Sequence, residues 1–153
     1  MPATLRSYRP GDFETLYEID QDCYPRGIAY SRRTLRWFLS LSEAECLVAE
    51  AGGEIAGFIL SEWDGPRAHI ITIDVLERNR REGVGSALLL SAEDGLMQRG
   101  VQEVVLETAA TNDAAIAFWQ KHGYRERGIY PRYYLARIDA IAMSKSLVRD
   151  QDH

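Results

Sequence analysis

The sequence predicts an α/β fold of the α+β kind, a single domain over residues 1–153. Three observations carry that expectation. The element order reads β, two helices, three strands, then α-β-α-β-β, which suits one mixed sheet with helices packed on it. Two turn signals, Ala51-Gly52-Gly53-Glu54 and Asp64-Gly65-Pro66, join three strands into an antiparallel meander. A basic, glycine-containing turn, Arg80-Arg81-Glu82-Gly83-Val84-Gly85, then leads from the last of those strands into a helix.

Taken in order, Ala3 to Tyr8 reads as a short strand. Pro10-Gly11-Asp12 opens a helix with Asp12 as its expected N-cap. Phe13, Leu16, Tyr17 and Tyr24 form the apolar stripe, and Pro25-Arg26-Gly27 breaks it. Ser31 caps a second helix that carries Leu35, Phe38 and Leu39 on one face. Cys46 to Glu50, Ile55 to Trp63 and Ala68 to Leu76 are the strands of the meander. In the third, period-2 alternation puts Ile71, Ile73 and Val75 on one face, with His69 on the same parity.

The next helix carries Val84, Leu88, Ala92 and Leu96 and stops at Gly100. Val101 to Glu107 is a strand. Asn112 or Asp113 caps a helix with Ile116, Trp119 and Gln120, which His122-Gly123 ends. There His122 reads as a favourable charge at a helix C-terminus. Tyr124 to Tyr134 and Arg137 to Leu147 close the fold as a strand pair, and Asp150 to His153 reads as a frayed tail.

Composition narrows the function classes. Apolar residues make up 46% and charged residues 27%, enough for a packed core. No run approaches the ~20 apolar residues of a membrane helix, and the N-terminus lacks the apolar stretch of a signal peptide. The expectation is a cytoplasmic protein without a membrane. The net charge of −5 and the absence of a basic tail speak against nucleic acid as a partner. Cys23 and Cys46 lack metal-ligand spacing, so no metal is expected and both read as buried thiols.

The turn at 80–85 carries the chemistry. Backbone N–H groups gather at a helix N-terminus, where the dipole favours an anion. Gly83 and Gly85 let a phosphate approach the main chain, and Arg80 and Arg81 add positive charge. A dinucleotide fold needs a third glycine, but position 88 is Leu. A nucleotide-hydrolysing P-loop needs a Gly-Lys-Ser/Thr ending, which is also missing. Arg80-x-x-Gly83-x-Gly85 after an antiparallel meander remains.

That pattern, with Ile73-Asp74-Val75 before it, resembles the acetyl-CoA signature of the GNAT superfamily of N-acetyltransferases. The stretch from Leu106-Glu107-Thr108 through Asn112-Asp113 and Phe118-Trp119 to Gly123-Tyr124 is similar to the family's second block. Arg132-Tyr133-Tyr134 followed by Asp139-Ala140-Ile141-Ala142-Met143 resembles the end of the RimI-like protein N-terminal acetyltransferases. The three blocks occur in family order across roughly residues 3 to 147. The resemblance implies the GNAT fold: a mostly antiparallel mixed sheet splayed at the cofactor strand, with helices on both faces.

The resemblance also implies roles. Backbone groups around Ile73, Asp74 and Val75 would pair with the pantetheine arm of acetyl-CoA as an added strand would. Main-chain N–H groups of Arg81, Glu82, Gly83, Val84, Gly85 and Ser86 would hold the pyrophosphate, beside Arg80. Asn112 would contact the pantetheine or orient the splayed loop, besides serving as a helix cap.

Acetyl transfer needs a deprotonated amine, a stabilised oxyanion and a departing thiolate. Glu107, late in the strand beside the cofactor, is the candidate base. His69 is its candidate partner, since the matching His or Tyr in eukaryotic relatives works with the residue matching Glu107. Relatives usually carry at position 119 a tyrosine that acts as the acid, and here it is Trp. An indole N–H can hydrogen-bond the sulfur but cannot give up a proton. Trp119 can equally be core packing. Tyr124, Tyr133, Tyr134 or water then remain as donors, or the thiolate leaves unprotonated. Tyr133 and Tyr134 alternate, so one is expected to face the site and the other the core. Tyr24, Tyr30 and the loop from Pro25 to Ser31 would form the opposite wall of the acceptor site.

Three functions fit these residues. The first is acetyl-CoA-dependent acetylation of the N-terminal amine of a protein or peptide, such as a ribosomal protein, by a monomer or homodimer. The second is acetylation of a small-molecule amine, and the third is a non-catalytic acyl-CoA-binding domain.

Overall fold

The computed structural model describes residues 3–148. The expected tail at Asp150 to His153 lies outside them. Seven strands form one sheet in the order β1-β2-β3-β4-β5-β7-β6. They are β1 Thr4–Ser7, β2 Ala44–Ala51, β3 Glu54–Asp64, β4 Arg67–Val75, β5 Glu103–Ala109, β6 Arg125–Tyr134 and β7 Ile138–Ser146. Every neighbouring pair is antiparallel except β4 and β5.

Four α-helices cover the sheet: α1 Phe13–Cys23, α2 Arg32–Ser40, α3 Val84–Gln98 and α4 Asp113–Lys121. Phe13, Leu16 and Leu35 from α1 and α2 pack on Val48, Phe58 and Leu60. Leu88, Leu89, Leu96 and Trp119 from α3 and α4 pack on Ile59, Ile70, Leu106 and Met143 on the other face. Phe58, Ile59 and Leu60 go to alternate sides, as strand pleating requires. Each fully buried leucine contributes about 1.5–3 kcal/mol relative to exposure. Among the described residues no helix is long and apolar enough to cross a membrane.

The expected splay is present. β4 and β5 pair only at Arg67–Glu103, Ala68–Val104 and His69–Val105. Beyond His69 the strands part, while β5 stays paired with β7 as far as Ala109. One edge of β4 is therefore open from Ile70 onward.

Local structure departs from the sequence expectations in four places. Thr72 faces Leu60 and Ile70 faces Ser61, so Ile71 is an extra residue on β4, a β-bulge. A bulge reverses the parity of all that follows. Ile71 thus packs with the α1–α2 layer, whereas Ile73 and Val75 pack with the α3–α4 layer. Secondly, Asp12 does not cap α1 with its side chain. It accepts the Arg9 N–H at 2.8 Å and pairs with both terminal nitrogens of Arg6 at 2.8 and 2.9 Å. A charged, bidentate partner outcompetes a helix N–H.

Thirdly, Tyr133 and Tyr134 do not divide between site and core. Tyr133 is exposed, Tyr134 is half-buried, and neither belongs to the buried clusters. Left-handed backbone at Arg132, Leu135 and Ala136 breaks the alternation there. Lastly, burial pushes the His122 imidazole below its ordinary pKa, with Lys121 adding to the effect. Its Nε2 lies 2.9 Å from Ser86 Oγ, so it links the end of α4 to the start of α3 rather than acting as a helix-end cation.

Candidate active site

The open edge of β4 follows from its register. The Leu76 N–H bonds to the Ala56 carbonyl, which makes Asp74 and Phe58 the next bonded pair. The backbone groups of Ile73 and Val75 then point away from β3, into the split. Side chains from α1 and the loop after it meet the carbonyls there. The Tyr24 hydroxyl donates to Ile73 at 3.1 Å and the Tyr30 hydroxyl to Ile71 at 3.3 Å. Arg80 Nε donates to Val75 at 2.9 Å, and Cys23 Sγ lies 3.5 Å from the same oxygen. Both cysteines are free thiols, Cys46 buried and Cys23 half-buried. Burial and the nearby Asp74 push the Cys23 thiol up to about 11.

The basic turn sits at the end of this edge. Arg81 has φ 68° and Gly83, the N-cap of α3, has φ 82°. No side chain caps α3, so its first N–H groups face outward without a side-chain acceptor. Val84 is buried under the turn, Glu82 is exposed beside Asn79, and Gly85 touches the Phe118 ring. A Cβ built on Gly85 would lie 3.2 Å from that ring. Across the split, Asn112 Oδ1 accepts the Ala115 N–H at 3.1 Å and caps α4. Trp119 is 5% exposed, edge-on to Phe118 and Tyr124 in the core. The Tyr124 hydroxyl donates to the buried Glu93 at 2.7 Å, which commits that phenol elsewhere.

Where β4 and β5 part, on the α1–α2 face, His69 and Glu107 meet. His69 Nε2 lies 2.8 Å from Glu107 Oε1. His69 Nδ1 lies 3.6 Å from Glu62 Oε1 on β3, directly across the hairpin. Burial alone would depress the imidazole pKa, but the bond to Glu107 and the charge of Glu62 outweigh it and raise the value. Tyr134 and Tyr133 stand in a T-shaped pair, ring centres 4.9 Å apart, within the field of Glu107. Burial first, then Tyr133 and Glu107, raise the Tyr134 phenol, so it keeps its proton. Burial and Asp20 do the same for Tyr30. From Glu107 a groove of about 460 Å³ runs over β5, β7 and β6, between Arg67, Glu103, Arg127 and Tyr130.

Two further groups join the site without having been singled out from the sequence. One is Glu62. The other is Asp20, which forms a buried carboxyl pair behind β4 with Asp74, a residue the sequence had placed only on the cofactor edge. Asp74 is fully buried, accepts from Thr72 and lies beside Asp20, leaving Asp74 Oδ2 and Asp20 Oδ1 without another polar partner. Asp20 also accepts the Tyr30 N–H at 2.7 Å. The Asp74 side chain therefore points at α1 and is shut off from any ligand, leaving only its strand neighbours on the edge. The turn Asp64-Gly65-Pro66 could have revealed Glu62, because pairing Asp64 with Arg67 sets Glu62 opposite His69. No sequence signal pointed to the Asp20–Asp74 pair.

The site is thus a split sheet with an open strand edge and a helix N-terminus without a side-chain cap on one side, and a histidine–glutamate contact on the other, an arrangement that suits a cofactor-dependent transferase. The chain belongs to the acetyltransferase (GNAT) family, whose family model matches residues 13–124. It is 30% identical to an N-alpha-acetyltransferase of Sulfurisphaera tokodaii, over 94% of this chain and 92% of that one. The fold superposes on the ribosomal-protein-S18-alanine N-acetyltransferase from Escherichia coli with a TM-score of 0.88 at 28% identity, covering 99% and 97%. An aminoglycoside 6'-N-acetyltransferase complexed with coenzyme A shares the fold alone, with a TM-score of 0.83 at 16% identity over 97% and 99%. The chain is an N-acetyltransferase that uses acetyl-CoA.

Proposed function

We propose that this enzyme acetylates the N-terminal α-amine of a protein or peptide, with Glu107 and His69 as its acid–base pair. The observation that carries the reading is their 2.8 Å contact at the point where the sheet splits. An N-terminal ammonium has a pKa of roughly 8, so a modest base suffices to free the nucleophile. Glu107 Oε takes that proton, while His69 holds the carboxylate in place through Nε2. Tyr30, Tyr133 and Tyr134 wall the acceptor, and the groove beyond Glu107 gives room for the residues that follow the amine. Both similar N-terminal acetyltransferases support the choice of acceptor.

Bound acetyl-CoA supplies an activated acetyl thioester. The residues of the split fit it. The β4 edge offers backbone groups at Ile73 and Val75 for the pantetheine arm, and the N–H groups of residues 81–86 suit the pyrophosphate. Arg80 adds positive charge, and Asn112 fixes the loop opposite. With Trp119 in the core, the Tyr134 hydroxyl, which keeps its proton, would be the donor available to a departing thiolate.

The test is thiol release from acetyl-CoA with short peptides bearing free N-termini, compared with the same peptides blocked at the N-terminus and with small amines. Turnover confined to free N-termini is expected. Turnover on small amines alone would overturn the peptide acceptor.

A further inference from the structure

We propose that Arg127 selects acceptor peptides that carry an acidic side chain at their second or third residue. This rests on the reading of the groove beyond Glu107 as the seat of a peptide whose N-terminal amine is acetylated. The groove, about 460 Å³, starts at Glu107, crosses β7 and ends against β6, where Arg127 stands.

Three observations mark Arg127. It is an extra residue on β6: Glu126 pairs with Met143 and Gly128 with Ala142, so Arg127 is the bulged position between them. Bulges re-aim a side chain, and here the guanidinium turns onto Ser144, whose Oγ accepts from Nε at 2.7 Å. Secondly, Ser144 is 5% exposed in the groove, so a buried hydroxyl fixes the base of the guanidinium while Arg127 itself stays exposed. Thirdly, the other charges of the groove are engaged. Arg67 faces Glu103 at 3.4 Å, and Glu107 faces His69 at 2.8 Å. Among the described residues Arg127 has no carboxylate partner.

A guanidinium held at Nε keeps both terminal nitrogens for a ligand, and that planar pair matches a carboxylate. Strand register sets the reach. Val105 faces Ser144 and Glu107 faces Ala142. Ser144 thus lies one strand over and two residues along from Glu107, about 5 Å by about 7 Å. An extended peptide advances about 3.3 Å per residue. An amine at Glu107 therefore brings the side chain of residue two or three over Ser144, beside Arg127. A basic side chain there meets a like charge and is disfavoured.

The experiment measures initial rates on alanine-led hexapeptides amidated at the C-terminus, so that only side chains carry carboxylates. Each has Asp, Asn or Lys at position two, three or four. In the wild type, Asp at position two or three raises kcat/KM about 10-fold over Asn, through KM, and Lys gives the lowest value. Added salt shrinks the preference. In Arg127→Gln the preference for Asp disappears, and in Arg127→Glu it passes to Lys. Each comparison is made between peptides on one preparation, so it does not depend on how much of a variant folds. Equal kcat/KM for Asp and Asn in the wild type, a preference confined to position four, or one that Arg127→Gln leaves in place overturns the proposal. Turnover on small amines with none on any peptide overturns the acceptor reading beneath it instead.

Discussion

Asp74 and Asp20 lie together in the interior, 1% and 0% exposed, between β4 and α1, and Asp74 Oδ2 and Asp20 Oδ1 find no other polar partner. Two ionised carboxylates cannot coexist there, so one proton is held between them. Burial first, and then Asp20, raise Asp74 well above the ordinary carboxylate range. Asp20 in turn accepts the Tyr30 N–H, so the pair ties the loop after α1 to β4.

A stability consequence follows with a definite sign. A raised acid pKa means the folded state binds more protons than the unfolded one, so stability falls as pH rises above the ordinary carboxylate range. Below that range both states are protonated and the penalty is absent. Asp74→Asn keeps the shape and a permanent N–H donor for Asp20. Urea unfolding between pH 5 and 8 should show a flatter pH slope and a variant at least as stable as wild type at pH 8. A variant less stable at every pH counts against the shared proton.

Much of this arrangement was legible in the sequence because turns and caps are local. Gly52-Gly53 and Gly65-Pro66 fixed the meander, Ser31 and Asn112 cap their helices, and the turn at 80–85 ends where α3 begins. What escaped depends on contacts far apart in the chain. The bulge at Ile71 leaves no mark in a period-2 reading, yet it reverses the faces of Ile73 and Val75. Asp12 looked like a cap until Arg6, six residues away, claimed it. Asp20 and Asp74 lie 54 positions apart, and only packing brings them together.

Gly83 sets the helix start by its left-handed backbone. Gly83→Ala should lower stability by about 1 kcal/mol, since a Cβ disfavours that conformation. Nothing lies within 4 Å of the added Cβ, so the cost is conformational rather than steric. Thermal unfolding measures it, and an unchanged Tm would contradict the strain argument.

Glu93 is buried in α3 and receives the Tyr124 hydroxyl at 2.7 Å and Lys145 Nζ at 2.9 Å. Removing the acceptor strands the buried Tyr124 hydroxyl and takes the charge partner from the half-buried Lys145. Glu93→Ala should cost about 3 kcal/mol, read from the midpoint of denaturant unfolding. A double variant, Glu93→Leu with Tyr124→Phe, should recover part of it, because no phenol is then left unpaired.

The edge of β4 offers the sharpest test of where the cofactor goes. Tyr24 gives its hydroxyl to the Ile73 carbonyl, the group that the proposed pantetheine placement also uses. The two donors then compete for one oxygen. Tyr24→Phe removes a partly buried bond and should lower stability by about 1 kcal/mol. The same change frees the carbonyl before the cofactor arrives, so acetyl-CoA should bind more tightly, by about 5-fold for each kcal/mol no longer spent on exchange. Calorimetric titration of both proteins decides it. Weaker binding by the variant would mean that the phenol supports the bound cofactor, and equal binding would mean that the pantetheine arm does not reach Ile73.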